Sequence, residues 1–174
     1  MVRGSRYLII SLLALFGAPG ALARNTSDDV LLAARALGFV RDLDSRAIRV
    51  AIIQDPSSNQ SVTDSNEVKA AFGRARAAGI SMTAIEVPLA SIRSISNVDV
   101  IWVTRGLRDY SRLSDLPSQN HALSISNDFG CVSKGFCVLG VQSEPTVKIV
   151  LNADAAARSG ISFEPAFRMM VTER

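Results

Sequence analysis

The stretch Ile125–Asn152, ISNDFGCVSKGFCVLGVQSEPTVKIVLN, contains both cysteines of the chain and two strand-like runs. The runs cover residues 136–142 and 147–151, and Ser143-Glu144-Pro145-Thr146 connects them. Apolar and polar side chains mostly alternate in the second run, as in a strand with one buried face. A four-residue connection containing Pro predicts an antiparallel hairpin, with its first strand starting inside the loop between the cysteines.

The first 23 residues have the pattern of a secretory signal peptide. Two arginines precede an apolar run at 7–16, and the segment ends in Ala21-Leu22-Ala23. The apolar run is shorter than the roughly 20 residues that a transmembrane helix needs. We therefore expect cleavage after Ala23 and export of residues 24–174 as one domain.

Cys131 and Cys137 are separated by five residues, and an exported chain with two cysteines most simply forms one disulfide. A redox-active pair is an alternative, although C-x5-C lacks the tight spacing of C-x-x-C motifs. Together with His121, the only histidine, the cysteines could also supply three zinc ligands. Their spacing is not that of a zinc finger, no particular fourth ligand is indicated, and export favours the disulfide, so we expect a disulfide and no metal site.

The exported part of the chain carries 17 basic and 16 acidic residues, scattered along its length. This distribution contains no polybasic patch of the kind that binds nucleic acid or acidic membranes. Few aromatic residues lie among the basic ones, which argues against stacking on bases. A length of about 150 residues is enough for one domain with a sizeable core.

Runs rich in β-branched residues alternate with helical patterns. Ile48–Gln54 and Asp99–Thr104 are almost continuously apolar, which is typical of parallel strands covered on both faces. The alternation predicts one α/β domain of three layers, with a mainly parallel sheet and the antiparallel hairpin at one edge. Five side chains are expected to be buried in its core: Val50, Ile52, Val100, Trp102 and Val103.

The other elements are predicted from periodicity and helix breakers. They are a helix from the polar residues 25–29 to about Leu43, a crossover helix at 63–78 stopped by Gly79, a strand at 82–87, an irregular link at 88–95, a helix at 107–116 stopped near Pro117, a strand at 121–126, a short helix at 153–158 closed by Gly160, and a last helix from Pro165.

No catalytic arrangement is found in the sequence. The loop after the first strand, Asp55–Asn59, has no glycine and so lacks the phosphate cradle of nucleotide-binding folds. The chain has no G-x-S-x-G nucleophile turn, and its single histidine at a strand start is more typical of a packed or surface residue. We therefore predict neither a catalytic residue nor a cofactor, and we do not expect an enzyme.

Open parallel sheets bind ligands beyond the carboxyl ends of their strands. Five polar residues are expected at that edge, where Arg105 could bind a small anion: Asp55, Thr104, Arg105, Ser126 and Asp128. Loops after strands are usually polar in any case, so these residues also have a purely structural explanation. A small-solute-binding module with a crevice at this edge is one of two functions that we carry forward.

The other function comes from a resemblance. Residues 126–140, SNDFGCVSKGFCVLG, and the later Ile149-Val-Leu-Asn152 resemble the YfiR-like family of bacterial periplasmic proteins. The order of the leading helix, the VAII strand and the DVIWVT strand before Gly106 is similar too. The best-known members have a second cysteine pair in the middle of the domain, which this chain lacks.

The resemblance implies a periplasmic, dimeric, non-enzymatic regulator. Such proteins bind the extracytoplasmic domain of an inner-membrane signalling protein and restrain it. In the characterised system that partner is a diguanylate cyclase, which makes cyclic-di-GMP, and an outer-membrane lipoprotein relieves the inhibition. Exposed aromatic residues near the hairpin and the last helix, Phe136, Phe163 and Phe167, could supply a contact, although aromatic side chains are more often part of the core.

Overall fold

The fold is described from a computed structural model that places residues 26–43, 47–75 and 82–174. The predicted signal peptide with its cleavage site at Ala23, and the predicted helix stop at Gly79, lie outside these residues. Within them, no helix combines the length and the apolar character needed to span a bilayer.

The described residues form six α-helices, two short 3-10 helices and seven strands. In chain order these are α1 (Thr26–Leu37), β1 (Ile48–Gln54), α2 (Asn59–Ala75), β2 (Met82–Pro88), the first 3-10 helix (Leu89–Ser94), β3 (Val100–Val103), the second 3-10 helix (Ser111–Leu113), α3 (Leu116–Asn120), β4 (Leu123–Ser126), α4 (Phe129–Ser133), β5 (Leu139–Gln142), β6 (Lys148–Leu151), α5 (Ala153–Ser159), α6 (Pro165–Met170) and β7 (Thr172–Glu173).

All the strands belong to one sheet with the order β2-β1-β3-β4-β5-β6-β7. The first five pair in parallel, β6 runs antiparallel to β5, and β7 pairs in parallel with β6. The predicted α/β fold with a mainly parallel sheet and an antiparallel hairpin is confirmed. Because β2 and β3 lie on opposite sides of β1, the strand order reverses between β1 and β3, which is where open α/β sheets place their ligands.

Both faces of the sheet are covered, so the domain has three layers. Val50 and Ile52 face the layer that contains α1 and α2, while Ala51 and Ile53 face the layer that contains the 3-10 helices, α3 and α4. The five predicted core residues are all 0% exposed, as expected for strands covered on both faces: Val50, Ile52, Val100, Trp102 and Val103.

Helix α1 ends at Leu37, six residues before the predicted end. The chain then turns and runs beside the C-terminal segment, where Val40 forms an antiparallel bridge with Phe163. Phe39 stacks on Phe167 with ring centroids 5.3 Å apart. Phe39 and Val40 therefore pack against the end of the chain. This packing takes the place of the further helical turn that their spacing predicted.

The predicted helix over 107–116 is also wrong. The second 3-10 helix occupies part of that range, and α3 begins at Leu116, so that Pro117 lies in its first turn instead of ending a helix. Proline suits a first turn because its missing N–H would have no partner there. His121 is the left-handed C-cap of α3 with φ 50°, and the strand that was predicted from residue 121 begins two residues later.

The predicted disulfide is confirmed. Cys131 lies in α4 and is bonded to Cys137, with the two Cα atoms 5.3 Å apart. The prediction that the first strand of the hairpin starts inside the cysteine loop is wrong. The N–H groups of Phe136 and Cys137 bond back to the carbonyl of Cys131 and close the end of α4. Strand β5 starts only at Leu139. Neither sulfur is a free thiolate, so the zinc alternative does not hold.

Replacing both cysteines by Ser should lower the free energy of unfolding by about 2–2.5 kcal/mol, the chain-entropy value for a loop of about seven residues. Urea denaturation of the oxidised protein and of the double variant measures this difference. Reduction of the wild-type protein should reproduce the loss in the variant, while equal stability of all three samples would contradict the estimate.

Candidate functional site

The five residues predicted to line a crevice all lie at the carboxyl edge of the sheet, where their side chains hydrogen-bond to neighbouring elements, and Asp55 also lines an open cavity there. Thr104 follows β3 and is fully buried. Its hydroxyl donates to the Ile53 carbonyl at 2.8 Å and lies 2.6 Å from Ser61 Oγ. Because the single hydroxyl proton of Thr104 is used on the Ile53 carbonyl, Ser61 is the donor to Thr104, and Ser61 Oγ also accepts the Asp55 N–H at 2.8 Å. These groups tie α2 to the ends of β1 and β3.

Asp55 follows β1, at the point where the strand order reverses. Its carboxylate accepts the Ser57 hydroxyl and, at 3.0 Å each, the Ser57 N–H and Arg108 Nε. Hydrogen bonds from Ser57 and then from Arg108 lower the pKa of Asp55 from 3.8 to about 2. The carboxylate therefore remains ionised throughout the physiological range.

This pKa gives a prediction for Asp55→Asn. A carboxyl group whose pKa is lower in the folded state stabilises the fold above its unfolded pKa and loses that contribution as the pH falls. The stability of wild type relative to Asp55→Asn should therefore decline between about pH 4 and pH 2. Urea denaturation of both proteins across pH 2–6 measures this difference, and a difference that stays constant would refute the assignment.

Arg105 is directed toward α1 and α2, away from the edge where an anion was expected. Its Nε and its backbone N–H donate to the two oxygens of Asp64 at 2.7 and 2.9 Å. Its Nη2 donates to Thr26 Oγ1 at 2.8 Å. Burial raises the pKa of Asp64 while the hydrogen bonds and charge of Arg105 oppose that rise. The guanidinium thus fastens the start of α1 and α2 to the loop after β3.

The loop after β4 is fastened in a similar way. Ser126 Oγ donates to the Val103 carbonyl at 2.8 Å and accepts the Asp128 N–H at 3.0 Å. Asp128 caps α4 by accepting the Gly130 N–H at 2.8 Å, and it also accepts the Tyr110 hydroxyl. Burial, reinforced by this bond to Asp128, raises the pKa of Tyr110. Ser126 is buried and Asp128 is partly buried, so both side chains serve mainly to hold this loop in place.

Sequence reasoning missed Asp29, whose carboxylate binds the loops after β4 and β5 at this edge. It lies in the first turn of α1 and is 0% exposed. One carboxylate oxygen accepts the Ser143 N–H at 2.6 Å and the Ser143 hydroxyl at 2.7 Å, and the other accepts Asn127 Nδ2 at 3.2 Å. An acidic residue in a first turn normally indicates only a helix start. Contacts across 98 and 114 residues leave no local signal in the sequence.

An open trench lies beside this fastened edge, on the face that carries the 3-10 helices. Long helices cover the opposite face of the sheet, but this part of the near face is covered by two short 3-10 helices. A gap remains between the two 3-10 helices. One end of the trench has a volume of about 530 Å³ and the other about 420 Å³, and they share Leu89, Ala90 and Arg112. The charged lining comprises Asp55, Arg93, Arg108, Asp109, Arg112 and Asp115.

A separate cavity of about 500 Å³ lies near the C-terminus, floored by Leu151 and Phe163 among others. The arginines at its rim are neutralised by neighbours. Arg41 donates to both oxygens of Glu164 at 3.2 and 3.4 Å, and Arg168 likewise donates to both oxygens of Glu173.

Three large apolar side chains are strongly exposed at the β6–β7 side of the sheet. Met169 is 83% exposed, Met170 65% and Val147 69%. Helix α6 buries Phe167 and turns the two methionines outward, and the parallel pairing of Val150 with Thr172 brings the segment before β7 alongside the start of β6. We call Val147, Met169 and Met170 the C-terminal apolar patch. Of the three aromatic residues considered earlier as contacts, Phe163 and Phe167 are buried in the core and Phe136 is half-buried, with its ring stacked on Tyr110.

Within the described parts of the chain, no group of three or more His, Cys, Asp or Glu side chains is arranged to hold a metal ion. The hydroxyls of Thr104 and Ser126 donate to backbone carbonyls, that of Ser57 donates to the Asp55 carboxylate, and that of Ser61 donates to Thr104. The arrangement at this edge is suited to rigidity, while the trench and the C-terminal apolar patch are suited to binding.

Solved structures of other proteins share this fold, while no family model and no curated protein match the sequence. A conserved domain protein from Vibrio cholerae O1 biovar El Tor is 17% identical with a TM-score of 0.56, over 86% of this chain and 60% of that chain. The ABC domain from Streptococcus pneumoniae, in complex with L-Trp, is 16% identical with a TM-score of 0.58, over 86% of this chain and 62% of that chain. At these identities the similarity shows the fold alone, and this chain spans less than two thirds of each neighbour.

Proposed function

We propose that this protein is a non-enzymatic periplasmic regulator that restrains a membrane signalling protein by direct contact. The observation that carries this proposal is the C-terminal apolar patch. Two consecutive exposed methionines and an exposed valine on the β6–β7 side of the sheet leave apolar area in water that a protein partner would bury. Methionine side chains are flexible and polarisable, and they are frequent on surfaces that adapt to a partner.

The polar groups at the carboxyl edge support binding over catalysis. They bond to one another and to the backbone, so that their hydrogen-bonding capacity serves to hold α1, α2 and α4 in place. A rigid scaffold that presents an exposed apolar patch keeps its shape on binding, which reduces the entropy lost when a partner docks.

The resemblance to YfiR-like proteins supports the nature of the partner. On that basis we propose the extracytoplasmic domain of an inner-membrane diguanylate cyclase, held inactive by this protein and released by an outer-membrane lipoprotein. The proposal includes export to the periplasm and a homodimeric form. Restraint by contact would lower cyclic-di-GMP production without any turnover by this chain.

Photo-crosslinking from the C-terminal apolar patch tests the contact. A photoreactive amino acid at Met169 should crosslink in the periplasm to the diguanylate cyclase, identified by mass spectrometry. The matched control places the same amino acid at Thr63, an exposed position on α2 in the other half of the sheet. Crosslinking of the cyclase from Met169 but not from Thr63 is expected, and equal or absent crosslinking from both would overturn the assignment of the patch.

A second candidate function is favoured by a different observation. The trench lies beside the reversal of strand order, where folds of this kind bind ligands, and one fold neighbour is in complex with L-Trp. This supports a small-solute-binding module with an amino acid as the class of ligand. Titration of the purified protein with solutes tests that function without reference to any membrane partner.

A further inference from the structure

The trench between the two 3-10 helices carries charges of both signs in equal number. Arg93, Arg108 and Arg112 line it together with Asp55, Asp109 and Asp115. A doubly charged anion would meet three carboxylates along these walls, and a dication would meet three guanidinium groups. A ligand with one positive and one negative group matches the lining best.

The positive charges differ in how far they are already engaged. Arg108 is held by Asp55 and Ser57. Arg112 lies 3.7 Å from Asp109 in an exposed pair, which contributes little. Arg93 forms no ion pair with a carboxylate of residues 26–43, 47–75 or 82–174. Arg93 and Arg112 therefore have donors available for a carboxylate, which a guanidinium group can bind in bidentate fashion.

The trench and the cavity near the C-terminus differ in whether their arginines are already paired with carboxylates. The rim arginines there, Arg41 and Arg168, already donate to both oxygens of a glutamate. A ligand carboxylate would have to displace those partners. Of these two cavities, the trench is therefore the one whose arginines have donors available for a ligand.

The negative groups and the floor complete the site. Asp115 is exposed at the end of the trench near Arg112 and begins α3 as its N-cap residue, without a side-chain capping bond. It can accept a ligand ammonium group. Leu89 and Ala90 lie where the two ends of the trench meet and provide an apolar surface for a side chain.

We propose that this trench binds a free α-amino acid, with its carboxylate on Arg93 and Arg112 and its ammonium group on Asp115. The ligand side chain lies on Leu89 and Ala90. This proposal rests on the solute-binding candidate function and names the location and the ligand class for it. It involves no covalent step.

Calorimetric titration of the intact exported chain with each of the twenty amino acids tests the proposal. At least one amino acid should bind at millimolar concentration or below. The side chain of that amino acid should be apolar. The amide of that amino acid lacks the carboxylate and its N-acetyl derivative lacks the ammonium group. Each should bind about tenfold or more weakly, as expected for loss of a charged hydrogen-bonding group.

Arginine variants locate the site. Arg93→Ala and Arg112→Ala should each weaken binding about tenfold or more. The matched control is Arg41→Ala, which removes an exposed arginine at the other cavity and should leave the affinity unchanged. All three positions are exposed, so melting temperatures close to wild type are expected and will exclude unfolding as a cause.

Two results would overturn the inference, and they differ in what they imply. Binding that survives Arg93→Ala and Arg112→Ala but is lost in Arg41→Ala would move the ligand to the other cavity and leave solute binding in place. An absence of binding by all twenty amino acids at millimolar concentration would overturn both this inference and the solute-binding candidate.

Discussion

Trp102→Ala should lower the free energy of unfolding by about 3–5 kcal/mol, the usual cost of removing a large aromatic side chain from a core. Trp102 is 0% exposed in β3 and meets the ring of Phe72 edge-on, with centroids 5.7 Å apart. The substitution would leave a cavity between the sheet and α2. Urea denaturation measures the loss, and a decrease below about 1 kcal/mol would contradict this packing.

Trp102→Phe is the matched control. It retains an aromatic ring against Phe72 and removes the indole N–H, which has no hydrogen-bond partner among the described residues. Removing a buried, unsatisfied donor offsets part of the lost packing. We therefore expect Trp102→Phe to be markedly more stable than Trp102→Ala.

The centre of the fold was predictable because its signal is local. The almost continuous apolar runs around Val50 and Trp102 require cover on both faces, and the alternation of strands with helices requires a parallel sheet. The disulfide was predictable for a similar reason, since Cys131 and Cys137 have no competing partners in the sequence.

The edges of the fold depend on contacts that the sequence does not display. Nothing local distinguishes a proline that ends a helix from Pro117, which begins one. Strand β7 has only two residues and exists because β6 offers an edge to pair with. Val150 breaks the polar face expected for β6, and it is buried because the layer with α4 covers that face.

In the candidate site, too, some features follow from local sequence and others depend on distant contacts. Topology predicted that Asp55, Thr104 and Ser126 would lie at one edge, and they do. Whether such groups form an open crevice depends on partners that come from distant segments, such as Asp29 in α1 and Ser61 in α2. The trench arises from the shortness of two 3-10 helices, which periodicity cannot resolve.

The double variant Met169→Asp/Met170→Asp should abolish the proposed restraint. Two carboxylates placed in an apolar contact would have to be buried without a partner, at a cost of about 3 kcal/mol or more, so affinity should fall at least a hundredfold. Stability should change little because both side chains are exposed in the free protein. Binding of the purified variant to the extracytoplasmic domain of the proposed diguanylate cyclase partner measures the loss.

Ile85→Asp is the matched control for that variant. Ile85 is another exposed apolar side chain, 52% exposed, but it lies in β2 at the opposite edge of the sheet. Its substitution should leave partner binding within about twofold of wild type. Equal loss in both variants would show that the C-terminal apolar patch is not the contact.

Cellular cyclic-di-GMP, measured by mass spectrometry, tests the restraint most directly. Deletion of the gene should raise the nucleotide, and wild-type protein supplied to the deletion strain should return it to the starting level. The Met169→Asp/Met170→Asp protein, exported in equal amount, should leave it as high as in the deletion strain. An unchanged cyclic-di-GMP level in the deletion strain would contradict the proposed restraint of a diguanylate cyclase.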